Sequence, residues 1–193
     1  MSGRKSLVRI IFEPILVACV LALAVRAVAR IYSVPSASMA PTLRPGDHIV
    51  VTRYLSDRPG RGDVVVFHHP TGSELTVKRV VGLPGDLVES QEGRVRVSGR
   101  VLDEPYAIND GSIRILPQIV PANHLFVLGD NRRDSYDSRH WGPLPDGLVV
   151  GRARLVLWSS SSSRPGEVVR ADAVSNRPVE SSEPPARIFK WIE

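Results

Sequence analysis

The chain has 193 residues, 42% of them hydrophobic and 23% charged. That is the composition of a folded globular protein with room for a sizeable core, and it excludes a disordered chain. A net charge of +5 and a sequence pI of about 9.9 suit an anionic partner, either a lipid surface or nucleic acid. The arginines, however, are scattered in short Arg/Val alternations, with no basic run and no aromatic-interleaved patch, which argues against nucleic acid. Cys19 is the single cysteine, so an intrachain disulfide, a Cys-based zinc site and a multi-cysteine redox centre are all excluded. His68 and His69 are adjacent at a strand end and point to opposite faces, which disfavours a metal site; no metal and no cofactor is expected.

The N-terminus carries Arg4, Lys5 and Arg9 (residues 1–9), followed by an apolar segment over 10–30 that is broken only by Glu13 and Arg26 before Ala27. Its uninterrupted stretch, Pro14 to Val25, is short for a bilayer that takes roughly 20 apolar residues to cross. Three readings stand: a signal-anchor helix whose Glu13 and Arg26 snorkel to water, a cleavable signal peptide ending at the small-x-small triplet Ala27-Val28-Ala29, or an amphipathic or core helix. Basic residues flank both ends, so charge alone barely sets an orientation.

From residue 31 to 158 the pattern turns to short β-type runs. His48–Arg53, Asp63–Phe67, Leu75–Val81, Leu87–Glu89, Leu125–Leu128 and Val149–Trp158 are rich in Val, Ile, Leu and Phe, and Pro-Gly, Gly-Asp and Asn-Asp clusters separate them. Val95–Leu102 reads as a hairpin turning at Ser98-Gly99. No helical period is sustained there, so the fold class is mainly β, preceded by one N-terminal helix. Residues 159–193 form a serine-rich polar segment that opens on Ser159–Ser163 and returns to apolar residues at Ile188–Ile192, an end that either docks on the body or lies in a membrane interface.

Three segments can carry chemistry. Val34–Leu43 holds a Ser-x-Ser pair, Ser36 and Ser38, between Pro35 and Pro41; the prolines restrict the backbone so that hydroxyls project from a fixed shape, or they simply make a Ser/Pro linker. On the strand Leu75–Val81, Lys78 shares a face with Thr76 and Val80. If that face is buried, desolvation lowers the amine's pKa and frees it to take a proton from a serine; the plainer reading is an edge lysine in water. Gly129–Arg139 concentrates Asp, Asn, Ser and Arg after a strand, either as a solvated turn or as a scaffold that orients catalytic groups. His124 and His140 have no Gly-x-Ser-x-Gly partner, and no phosphate-binding glycine loop is present in the sequence.

Taken in order, Ser33–Leu43, Arg61–Phe67, Val77–Asp86 and Gly129–Arg139 resemble the four sequence boxes of the bacterial type I signal peptidases, and the likeness runs from about residue 7 to 158. The resemblance implies a membrane-bound Ser–Lys serine endopeptidase that removes signal peptides from exported preproteins after an Ala-x-Ala type site. By it, Ser38 is the nucleophile and Lys78 the general base. Ser36 and the Ser38 N–H form the oxyanion hole, Ser135 orients the Lys78 amine, Asp137 and Arg139 brace the loop, and Met39 lines the substrate groove. It further implies a single-pass signal-anchor helix over 10–30 in the bacterial cytoplasmic membrane, a catalytic domain over 31–158 on the extracytoplasmic side, and preproteins, the lipid bilayer and the secretion translocon as partners. The stretch between Val81 and Leu125 is short for the family, which implies a reduced second β subdomain, and the serine-rich tail has no counterpart there. Three other readings compete with it. A self-cleaving repressor-type protein would need a DNA-binding helical domain where this chain has an apolar run. A dedicated processing peptidase for one secreted or pilin-like substrate is indistinguishable by sequence. An inactive membrane-anchored module that binds preproteins is disfavoured because Ser36, Ser38, Lys78 and Ser135 are all present.

Overall fold

The computed structural model describes residues 3–55, 57–109, 111–159 and 190–192. It opens on a helix, α1 (Gly3–Val28), and passes directly into the first strand, β1 (Ala29–Ser33). The segment expected as a transmembrane helix over 10–30 is therefore helix only to Val28, and among the described residues no helix is long and apolar enough to cross a membrane. The physical reason lies in the spacing: Glu13 and Arg26 confine the unbroken apolar stretch to Pro14–Val25, which at 1.5 Å per residue rises only about 18 Å. Within it Ile15, Leu16, Val17, Val20, Leu21 and Leu23 are exposed by more than half.

The remaining strands follow in chain order: β2 (Asp47–Thr52), β3 (Val64–His68), β4 (Leu75–Gly82), β5 (Leu87–Gln91), β6 (Arg94–Val97), β7 (Arg100–Val101), β8 (Gln118–Ile119) and β9 (His124–Leu128). A one-turn helix, α2 (Ser138–Trp141), precedes β10 (Leu144–Pro145), β11 (Val149–Ser159) and β12 (Lys190–Trp191). The large sheet runs β1-β2-β11-β3-β4-β9-β10, with β12 also on β11; the small one runs β7-β6-β5-β8. Every pairing within them is antiparallel. The protein is mainly β, as its runs of Val and Ile dictate. The expected hairpin is present: Val97 pairs with Arg100, and Ser98 and Gly99 both take positive φ, 50° and 80°, as a two-residue turn between twisted strands requires.

Among the described residues three apolar cores hold the sheets. One gathers Val34, Met39, Leu43, Ile49, Val51 and Val66 under the large sheet. A second joins Val81, Phe126 and Leu128 of that sheet to Val88, Val95 and Val97 of the small one, and a third packs Val65, Phe67, Val80 and Val127 against Leu144. The second β unit is four short strands whose core is shared with the large sheet. Where the sheets meet, Gly82 leaves the space they need: a Cβ there would stand 2.6 Å from Val88 Cγ2 and 2.9 Å from Phe126 Cβ.

The apolar end of the tail docks on the body. Lys190 and Trp191 pair with Val156 and Leu155, the Ile192 N–H donates to the Arg154 carbonyl (3.0 Å), and Ile192 is buried in the core that holds Met39. The serine run and the polar stretch behind it, apart from Ser159, lie outside the described residues.

Candidate active site

Ser38 sits in a short 3₁₀ turn, Ala37–Met39, directly downstream of β1. The turn is fixed from both ends. Val34 exchanges backbone hydrogen bonds with Asp47 and Gly46, both 2.8 Å, and Met39 and Leu43 anchor the far side by filling the core. From the third side, Asn131 grips it: its N–H donates to the Ser38 carbonyl (3.0 Å) and its side-chain amide to the Ala37 carbonyl (3.3 Å). Such bracing holds the hydroxyl in one place, as a nucleophile needs.

Lys78 comes from β4, where it pairs with Val65 of β3. Its side chain is 3% exposed, and its Nζ lies 2.6 Å from Ser38 Oγ; the Ser36 hydroxyl is 3.2 Å from the same oxygen. Burial pushes the Lys78 amine down from its ordinary 10.5 to about 8, with Arg139 adding to the fall and Asp137, Asp130 and Asp134 opposing it. A buried hydroxyl facing an amine neutral at mildly alkaline pH can be deprotonated as it attacks a carbonyl.

Of the other expected groups, Asp137 and Arg139 form a close pair: Arg139 Nε donates to Asp137 Oδ1 (2.7 Å) and Nη2 to Oδ2 (2.8 Å). Asp137 is fully buried, and burial works to raise its pKa. The bonds from Arg139, the Gly129 N–H and the Ser135 hydroxyl prevail and hold it below the usual carboxylate range. It also caps α2 by accepting the Arg139 N–H.

The Ser135 hydroxyl donates to Asp137 Oδ2 (2.7 Å), a buried carboxylate two residues along the same loop and a strong acceptor. Met39, at 1% exposure, packs in the core, since the tight turn that presents Ser38 directs the next side chain inward beside Val34 and Leu43.

Residues beyond the expected set complete the support. Gly129 lies where the loop crosses the nucleophile turn, and a Cβ there would come 2.2 Å from Ser135 Oγ and 2.5 Å from the Ser38 carbonyl oxygen. Arg79, beside Lys78 but on the other face of β4, makes a buried two-pronged pair with Asp130 (2.9 and 2.7 Å), donates to the Gly62 carbonyl (2.9 Å), and stacks over Tyr106 at 3.9 Å. Arg132 does the same with Glu104 (2.9 and 2.5 Å) and donates to the Gly129 carbonyl (2.9 Å). The density of Asp and Arg in Gly129–Arg139 was the available signal for Asp130 and Arg132; nothing local pointed to Glu104.

The family described as "Signal peptidase, peptidase S26" matches residues 7–158 of this chain. The chain belongs to that family. This signal peptidase family member is a serine peptidase, a hydrolase of peptide bonds. It is similar to signal peptidase I of Leptolyngbya laminosa, 41% identical over 150 residues that cover 72% of this chain and 74% of that one. It is also similar to the probable signal peptidase I-2 of Synechocystis, at 39% identity over 73% of this chain and 69% of the other. A solved signal peptidase I from Enterococcus faecalis V583 is 29% identical, with a TM-score of 0.44 over 50% of this chain and 97% of that one.

Proposed function

We propose that this peptidase removes N-terminal signal peptides from exported preproteins, cutting after a small-x-small site, with Ser38 as nucleophile and Lys78 as general base. The observation that carries the reading is the 2.6 Å approach of a buried, depressed-pKa amine to a hydroxyl held in a braced turn. Its relatives named as signal peptidases supply the substrate class.

In this mechanism the neutral Lys78 amine takes the Ser38 proton as Oγ bonds to the scissile carbonyl carbon. The charge that develops on the carbonyl oxygen is accepted by the Ser38 N–H and the Ser36 hydroxyl, whose position 3.2 Å from Oγ suits that role. Lys78 then gives its proton to the leaving amine as the C–N bond breaks. A water attacks the ester, loses a proton to Lys78, and Ser38 recovers its hydrogen as the signal peptide departs. Asp137, braced by Arg139 and Ser135, keeps the loop beside the amine and tunes its proton affinity.

In the same reading α1 holds the peptidase on the cytoplasmic membrane with residues 31–158 outside, where preproteins emerge from the translocon. The support is the row of exposed apolar side chains on α1, which water disfavours. Cleavage of a preprotein in detergent by wild type, Ser38→Ala and Lys78→Ala tests the core of this reading. Cutting after a small-x-small site that both folded variants lose is the expected outcome; normal cutting by Ser38→Ala refutes the dyad.

A further inference from the structure

A cavity of about 590 Å³ opens near the point where α1 passes into β1, and the mechanism makes no use of it. Arg30 and Tyr32 of β1 line it together with Arg53 and Tyr54, and His68 and Leu75 border it from β3 and β4. It stands apart from the reacting groups. Leu75 pairs with His68 and Lys78 with Val65, and three residues along a strand is the opposite face, so Leu75 turns away from Lys78. Among the described residues that line the cavity none belongs to the Ala37–Met39 turn.

The cavity is cationic. Arg30 lies opposite Val51 in the β1–β2 register, and the Arg53 N–H donates to the Val28 carbonyl (3.1 Å). Arg30 and Arg53 are therefore diagonal neighbours on one face, about 7–8 Å apart. Both are exposed, and among the described residues neither guanidinium pairs with a carboxylate. No carboxylate is among the described residues that line the cavity. The one that reaches its wall, Asp63, accepts the Tyr54 hydroxyl (2.7 Å) and is already paired with Arg152 (2.8 Å). Two planar guanidiniums at this spacing suit an oxyanion held between them, and a phosphate above all.

Position indicates which phosphate. The exposed apolar side chains of α1, Val17, Val20, Leu21 and Leu23 among them, lead down the helix to this end of β1. Leu55, two residues past Arg53, is 78% exposed. Apolar groups beside a cationic cavity match a phospholipid, in which acyl chains adjoin a phosphate; a nucleic acid gives those apolar groups nothing to meet. The unbroken apolar stretch of α1 rises only about 18 Å, so the helix alone grips a bilayer weakly, and stable anchoring takes a second contact, commonly a basic one. We infer that the cavity holds the phosphate of an anionic phospholipid headgroup, clasped by Arg30 and Arg53 with Tyr32 at the level of the interface. The inference rests on the membrane placement of α1 proposed above and adds to it the class of lipid that the protein selects.

The test holds the full chain in neutral detergent micelles doped with phosphatidylglycerol or phosphatidylcholine and reads Tm. Phosphatidylglycerol is expected to raise the wild-type Tm by about 4 °C, the shift for a ligand at ten times its Kd. Phosphatidylcholine, whose choline cancels the phosphate charge, should give less than half of that. The rise is lost in Arg30→Gln/Arg53→Gln and kept in Arg94→Gln/Arg100→Gln, two exposed arginines of the small sheet. Arg30→Gln and Arg53→Gln alone each lose part of it, which decides the matter even where the double variant fails to fold. An equal rise with both lipids, or one that both double variants lose alike, overturns the inference. So does an equal rise from glycerol phosphate or a short single-stranded RNA in undoped micelles, which would assign the cavity to a soluble anion or to nucleic acid. Wild type that does not float with phosphatidylglycerol vesicles in the absence of detergent overturns the membrane placement of α1, and this inference with it. Wild type that floats but shows no rise overturns this inference alone.

Discussion

Replacing Lys78 by Met should abolish cleavage and make the protein more stable. At pH 7 the buried amine is still protonated, and its drop from 10.5 to about 8 makes that charge unfavourable by roughly 3 kcal/mol. Methionine fills similar space without a charge but forfeits the bond to Ser38, a loss of about 1 kcal/mol, which the Ser36 hydroxyl partly makes good. The net expectation is a gain of about 2 kcal/mol at pH 7, or roughly 4–8 °C in Tm for a chain of this size. The sign depends on pH. Between about 8 and 10.5 the unfolded chain holds the Lys78 proton and the folded one does not, so wild-type stability rises with pH across that window. The advantage of the variant should therefore shrink to about zero near pH 10. Denaturant midpoints for both proteins at pH 7 and pH 10 measure it. A Lys78→Met protein that is less stable at pH 7, or equally favoured at both values, refutes the claim that burial sets the proton affinity of this amine.

For the wild type, kcat/KM should rise about tenfold from pH 7 to pH 9 and then level, because the neutral fraction of an amine near 8 climbs from about a tenth to about nine tenths. A steady tenfold rise per pH unit beyond 9 would mean an unshifted lysine. Gly129→Ala should lower kcat by about a hundredfold while the fold persists, since the added carbon pushes on Ser38 and Ser135 together; single-turnover cleavage and circular dichroism separate the two effects. Asp130→Ala strands Arg79 as a buried, unmatched cation and should destabilise the protein by about 3–5 kcal/mol, read by chemical denaturation. Ile192→Ala should lower stability by about 2 kcal/mol through the core that holds Met39, seen as a fall in Tm with little change in KM.

Much of the β framework was legible in the sequence because extended Val- and Ile-rich runs between Gly and Pro turns leave few alternatives. The strand Ala29–Ser33 was not, because Ile31 and Tyr32 continue the apolar character of α1 and no proline or glycine marks the change. Strands of two residues, such as Gln118–Ile119 and Leu144–Pro145, exist only through their partners and have no local period to read. At the site, alternation along β4 separated Lys78 from Arg79, but it could not show that both faces are buried, since that depends on the nucleophile turn on one side and Asp130 with Tyr106 on the other. The pairing of Ser38 with Lys78 followed from the family resemblance and not from their spacing. The bond from the Ser135 hydroxyl to the Asp137 carboxylate, two residues along the same loop, was not legible in that resemblance.

The adjacency of Lys78 and Arg79 also polices the assembly of the molecule. In a β-sheet a slip of one residue sends every side chain to the opposite face. For β4 a slip in one direction would bring to Ser38 the Arg79 guanidinium, which never gives up its proton, and leave Val80 before Asp130; a slip in the other would bring Val77 to Ser38 and set before Asp130 an amine that makes only one of the two bonds Arg79 makes. A misthreaded copy would thus be both unstable and chemically silent. A working peptidase that has assembled with the wrong register is a species this strand does not permit.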